Sequence, residues 1–228
     1  MRWAASTLSA MLLLGACTSE GTTAFERLGP QARDLILGSD DEDAQPQPEL
    51  TRAQLNQIPF ATISVQAGDF PRAFVAAVTD NGGYVVYQDP TRRSLVLEGG
   101  LLSATHGLGY NLSAIKRQAD DPVASPRPVA DWPAVITRNY QFSLANRDDY
   151  EITVRCRYGT PTPERIEIVE LFFDLVRIEE TCGNGTRTFS NVYWAEANSG
   201  FIWKSSQWIG PRHDPYVIEI VRPYQKSS

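Results

Sequence analysis

The sequence predicts a mainly β protein: an antiparallel sheet assembly, sandwich or barrel-like, preceded by one or two short helices. Three observations point there. Short runs rich in Val, Ile, Thr, Tyr, Phe and Trp recur from Phe60 to Val221. Turn formers separate several of them, as at Asn81-Gly82-Gly83 and Asn198-Ser199-Gly200. A stretch rich in proline, Gln118 to Pro133, interrupts any regular element and sets off one group of strands from the next.

The first element is a secretory signal. Arg2 precedes an apolar run that includes Met11, Leu12, Leu13 and Leu14, and small residues lead up to Cys17. The run is far shorter than the roughly 20 residues needed to cross a hydrocarbon core, so residues 1–16 serve export and are then removed. Leu14-Gly15-Ala16-Cys17 resembles the lipobox of bacterial lipoproteins. A thiol supplies the nucleophile for attachment to a diacylglycerol, and small neighbours let a peptidase reach the bond. An ordinary signal with a chance cysteine is the competing reading. Acyl chains, each contributing about 0.8 kcal/mol per buried methylene, would hold the mature chain on a bilayer. Thr18 stands where an inner-membrane retention signal of the enteric kind has aspartate, which favours an outer-membrane anchor facing the periplasm.

Residues 17–49 then read as a lipidated stalk, a short helix and an acidic loop. Phe25, Leu28, Ala32, Leu35 and Ile36 are near helical spacing, with Pro30 among them. Asp40, Asp41, Glu42 and Asp43, followed by Pro46 and Pro48, form an exposed loop, and their spacing favours solvation over a calcium site. Residues 50–228 make a single β-rich domain. Thr51 caps a helical turn through Gln54 and Leu55, and Pro59 ends it. Strands are expected at Phe60 to Val65, Ala73 to Val78, Tyr84 to Gln88, Leu95 to Leu97, Val135 to Leu144 and Tyr150 to Tyr158. Arg165 to Glu180 also fits a helical stripe, but its β-branched and aromatic content predicts two strands in succession. Phe189 to Glu196, Phe201 to Trp208 and Tyr216 to Val221 complete the set.

With 27 acidic against 21 basic residues, a nucleic-acid or anionic-lipid partner is disfavoured. Three cysteines divide into a lipidation site at Cys17 and a pair, Cys156 and Cys182, expected to form a disulfide in an oxidising compartment. Two free thiols or a metal pair are the alternatives. The two histidines, His106 and His213, stand in unrelated contexts, with no nucleophile elbow or phosphate loop nearby. No cofactor or metal is implied. Asp148, Asp149, Glu151 and Asp174 read as solvated strand positions, although a carboxylate pair drawn from different strands stays open.

The aromatic C-terminal stretch offers the candidate surface. Trp194, Trp203, Lys204, Gln207 and Trp208 alternate along strands, a pattern that suits either a core or a strip that stacks on sugar faces and hydrogen-bonds hydroxyls. With these residues in view, the sequence resembles the YjbF/GfcB family of bacterial lipoproteins, associated with production and export of exopolysaccharide and group 4 capsule. The resemblance covers most of the mature chain. It rests on Leu50-Thr51-Arg52 with Pro59, on Gly100, Thr105-His106-Gly107-Leu108 and Asn111-Leu112, and on Asp121-Pro122. Its most specific signals are Asn191-Val192-Tyr193-Trp194 and Trp203 through Pro211. It implies a non-catalytic accessory, either a scaffold or a glycan-binding protein, with a polysaccharide-modifying hydrolase as the alternative. Its implied partners are polysaccharide export machinery, the polysaccharide itself, and a membrane reached through the lipid. The segment Thr105 to Asn111 is expected to be structural.

Overall fold

A computed structural model describes residues 50–144 and 147–225. The signal, Cys17, the stalk, the helix expected near residues 25–37 and the acidic loop lie outside the described residues. The chain enters at one short helix, α1 (Arg52–Leu55), closed by a capping box in which Thr51 and Gln54 bond each other's backbone N–H.

Thirteen strands follow. They are β1 (Thr62–Ala67), β2 (Ala73–Asn81), β3 (Tyr84–Gln88), β4 (Ser94–Glu98), β5 (Leu101–His106), β6 (Tyr110–Arg117) and β7 (Val135–Leu144), then β8 (Arg147–Tyr158), β9 (Thr162–Ile168), β10 (Leu171–Gly183), β11 (Thr188–Ala195), β12 (Ile202–Gln207) and β13 (Tyr216–Arg222). Twelve form one antiparallel path, β5-β4-β3-β2-β1-β13-β12-β11-β10-β8-β7-β6, and β9 pairs with β10 alone. The two ends of this path meet. The Leu112 N–H donates to Thr105 Oγ1 at 2.9 Å, from β6 to β5, so the sheet curls into a nearly closed barrel. The fold class is the one expected, and Arg165 to Glu180 does divide into two strands, β9 and β10, turning at Val169-Glu170.

Alternation sets the inside. On β7, Ile136, Arg138, Tyr140 and Phe142 share one buried face; on β11, Phe189, Asn191, Tyr193 and Ala195 do the same. The outer face is covered in one region, where α1 and the β9–β10 hairpin lie over β1, β2 and β13. Leu55, Ile58, Ala76, Ile166, Ile168, Leu175 and Val221 pack there. Arg52 fastens the layer by donating to the carbonyls of Ile168, Val169 and Val221.

Three features depart from the sequence reading. β5 and β6 are strands that propensity did not mark. The proline-rich stretch does not divide the β body, because it joins β6 to its sheet neighbour β7 and packs inward. Val123 and Ala124 are buried, and the Gly100 N–H bonds the Val123 carbonyl. The Asn198 to Gly200 turn is wider than a two-residue hairpin loop: it closes with Gly200 N–H on the Glu196 carbonyl. Gly200 has φ +70°, and a Cβ there would lie 1.9 Å from the Arg127 carbonyl oxygen, so only glycine lets the turn press on the proline-rich segment.

Candidate functional site

Two kinds of interior share this barrel among the described residues, and one of them holds an open cavity. The filled part is built around Arg138, which the period of β7 carries inward between Ile136 and Tyr140. Its guanidinium bonds both oxygens of Asp121, at 2.6 and 2.9 Å, and Glu180 Oε2 at 2.8 Å. All three side chains are fully buried. Glu180 Oε2 also accepts from Asn191 Nδ2 and from the Tyr193 hydroxyl. Glu180 Oε1 has no hydrogen-bond partner among the described residues.

Burial opposes the Arg138 charge, but Glu180, then Tyr193 and the hydrogen bond to Asp121, outweigh it and hold the group well above its ordinary value. Burial, reinforced by Glu180, pushes the Tyr193 hydroxyl far up, and burial brings that of Tyr140 to about 12. This arrangement fixes charges in place in a part of the barrel filled by side chains.

Beside it, Cys156 of β8 and Cys182 of β10 face each other in the strand register and form a disulfide. Glu180 lies near both sulfurs, but thiols bonded to each other give a metal no thiolate ligands. Tyr140, Phe142, Phe189 and Trp208 stack around this region, with Phe189 and Trp208 centroids 4.0 Å apart.

The open part is the mouth of the barrel where β1 and β3 end and β2, β4 and β13 begin. A cavity of about 420 Å³ is walled by Val65, Val75, Tyr87, Leu95 and Leu108. Phe70 stands at its edge with 72% of its surface exposed. The rim is polar, formed by Asp89, Arg93, Arg212, His213, Asp214 and Tyr216. Arg93 is held by Asp89 at 2.7 Å. Arg212 lies over the Tyr110 ring, 5.7 Å from its centroid. His213 Nε2 bonds the Tyr110 carbonyl, and burial lowers its pKa despite Asp214 nearby. A side chain on Gly68, at φ +53°, would strike the Asp214 carboxylate, so glycine keeps that part of the rim low.

The five residues expected to form a surface are not brought together on one. Gln207 is 3% exposed and points inward, where it bonds the Gly100 carbonyl and the Leu102 N–H. Trp208 belongs to the interior aromatic stack. Trp194 and Lys204 pair across β11 and β12 on the outside, with Lys204 and Arg177 both over the Trp194 ring. Trp203 stacks on Phe173 at 4.3 Å and donates to Glu196. Of the carboxylates considered for glycoside chemistry, Glu151 and Asp174 are exposed strand positions. The side chains of Asp148 and Asp149 lie outside the described residues.

The sequence from residue 21 to residue 221 matches the family described as group 4 capsule polysaccharide lipoprotein gfcB, YjbF. The chain belongs to the YjbF family. The fold is shared with the crystal structure of the hypothetical lipoprotein YmcC from Escherichia coli (K12), at TM-score 0.69 and 18% identity, covering 78% of this chain and 91% of that one. No curated protein matches the sequence.

Several residues that carry the YjbF resemblance hold the barrel together. Asp121 braces Arg138; Asn191 donates to Glu180 and accepts from the Trp208 N–H; Gln207 ties β12 to the start of β5. Thr105 accepts from the Leu112 N–H across the β5–β6 closure, and Asn111 accepts from the Leu108 N–H in the turn that joins the two strands. The mouth residues were missed because Ala67, Ala73, Leu108 and Tyr216 have no chemical signature in the sequence and come together only when the sheet closes.

Proposed function

We propose that this YjbF-family chain is an outer-membrane lipoprotein, anchored by lipid on Cys17 and facing the periplasm. It assists the assembly or export of capsular or extracellular polysaccharide as a non-catalytic accessory. The observation that carries the reading is the barrel mouth, an open cavity edged by aromatic rings and paired charges. Phe70 and Tyr216 offer faces on which a sugar ring can stack, and Asp89, Arg93 and Asp214 offer donors and acceptors for hydroxyls. The outer aromatic strip supports the reading less, since its rings are stacked on one another and on neighbouring cations.

The test is complementation in cells lacking the protein. Loss of surface polysaccharide is expected, with recovery by the wild-type chain but not by a Phe70→Ala, Tyr216→Ala double variant made at equal level. Cys17→Ser is expected to abolish recovery as well. Full recovery by the double variant would show that the mouth is not the working surface, and full recovery by Cys17→Ser would remove the anchor from the account. Capture of the lipidated protein from detergent-solubilised envelopes, before and after polysaccharide digestion, separates the two accessory roles. A secretion protein that survives digestion supports the scaffold; polymer alone supports direct binding.

A further inference from the structure

We propose that the deep part of the barrel mouth is an acyl-chain site, which takes the hydrocarbon tail of an anionic amphiphile and sets its head group beside Arg212. This goes beyond the accessory reading and does not depend on it. The walls named above, Val65, Val75, Leu95 and Leu108 with the ring of Tyr87, are almost wholly hydrocarbon. A sugar buried there would leave its hydroxyls without partners, whereas methylene groups lose nothing by leaving water. The volume, about 420 Å³, falls in the range of roughly 300–1,000 Å³ typical of small-molecule sites. Small barrels hold a single such ligand in their mouths.

Charge at the rim selects the head group. Arg93 is already neutralised by Asp89, which also accepts from the Arg93 N–H and the Thr91 hydroxyl. His213 is committed to the Tyr110 carbonyl. Arg212 is exposed, lies over the face of Tyr110, and forms no ion pair with another described residue. An anionic carboxylate or phosphate above the cavity would pair with it while the tail enters below. Asp214 on the same rim opposes a second negative charge, which favours a head group bearing one.

The ligand chemistry is shared by a free fatty acid and a phospholipid, and the experiment separates them. The mature full-length chain with Cys17→Ser is titrated with a dansyl-labelled fatty acid, followed by displacement with dodecanoate or dodecanol. Pyrene-labelled phosphatidylglycerol vesicles test extraction of a phospholipid. Saturable binding of one probe per chain is expected. Ala67→Trp, which places a ring in the cavity from the end of β1, should weaken it at least tenfold. Ala73→Trp, from the start of β2, does the same job if the first variant does not fold. Arg212→Ala should weaken dodecanoate about fivefold and leave dodecanol unchanged.

Transfer of pyrene lipid out of vesicles would assign the site to phospholipid, and dodecanoate binding without transfer would assign it to free fatty acid. Absence of saturable binding, or equal binding by both folded tryptophan variants, overturns the site. Equal dodecanoate affinity in Arg212→Ala overturns the head-group assignment. The polysaccharide reading is scored apart: polymer retention by a wild-type chain that fails to bind the acyl probe leaves that reading standing while this one falls.

Discussion

The two sides of the barrel solve the same problem in opposite ways. From β6 through β8 to β11 the interior is filled by rings, a disulfide and an ion network in which one arginine faces two carboxylates. From β1 to β5 and β13 it is aliphatic, and at one end it is left unfilled. A closed sheet of this size has more interior than aliphatic side chains alone occupy, so the charges and rings fill one side and hold a single register. The difference teaches where each kind of residue works: the conspicuous ones stabilise, and the plain ones shape the cavity.

The comparison breaks first at Arg138. Arg138→Ala leaves Asp121 and Glu180 buried without a cation, so urea unfolding should show a loss of about 3–5 kcal/mol, or no folded protein at all. Replacing both Cys156 and Cys182 by serine removes a link across a sequence separation of 26 and should cost about 3 kcal/mol by the same measurement. An equal loss from Arg93→Ala would erase the contrast. The Arg93 side chain is more than half exposed, and its removal should cost less than about 1 kcal/mol.

Two titrations sharpen the contrast. Burial raises the hydroxyls of Tyr140 and Tyr87 to about 12, against an ordinary value of 10.0. The folded state therefore keeps protons that the unfolded chain releases. The stability this gives is complete below pH 10 and is lost as pH rises through 10 toward 12. Ultraviolet phenolate absorbance should thus rise in two steps, the second coinciding with unfolding. His213 runs the other way, since burial lowers its pKa from 6.5 and the fold prefers the neutral ring. Its contribution is complete above pH 6.5 and falls as pH drops below that value. A small acid-side decrease in Tm, absent in His213→Asn, is the expected outcome.

Much of the fold was legible and little of the site was. Strand-forming residues marked β7, β11 and β13, and on β7 and β11 buried residues also alternate with less buried ones, whereas β13 is covered on both faces. β5 escaped because Leu101, Leu102 and Ser103 are all buried in succession, which removes the period of two, and glycines flank it. The interior network had a signal that charge concealed. Arg138 is in phase with Ile136 and Tyr140, and Glu180 with Ile178 and Cys182, so both are inward by position even though their types suggest solvent. Trp203, Gln207 and Trp208 attracted attention by type, yet β12 turns Gln207 into the barrel and Trp208 follows into its ring stack. No local pattern gathers all four of Ala67, Ala73, Leu95 and Tyr216: the β1–β2 hairpin brings the two alanines together, but Tyr216 reaches Ala67 only through the long-range pairing of β1 with β13.

Amide hydrogen exchange with and without saturating dodecanoate tests most directly the claim that one side is sealed and the other receptive. Added protection is expected in β1, β2, β4 and the segment from Arg212 to Tyr216, with β7, β10 and β11 unchanged. Protection centred on β7, β10 and β11, or none anywhere, would contradict it.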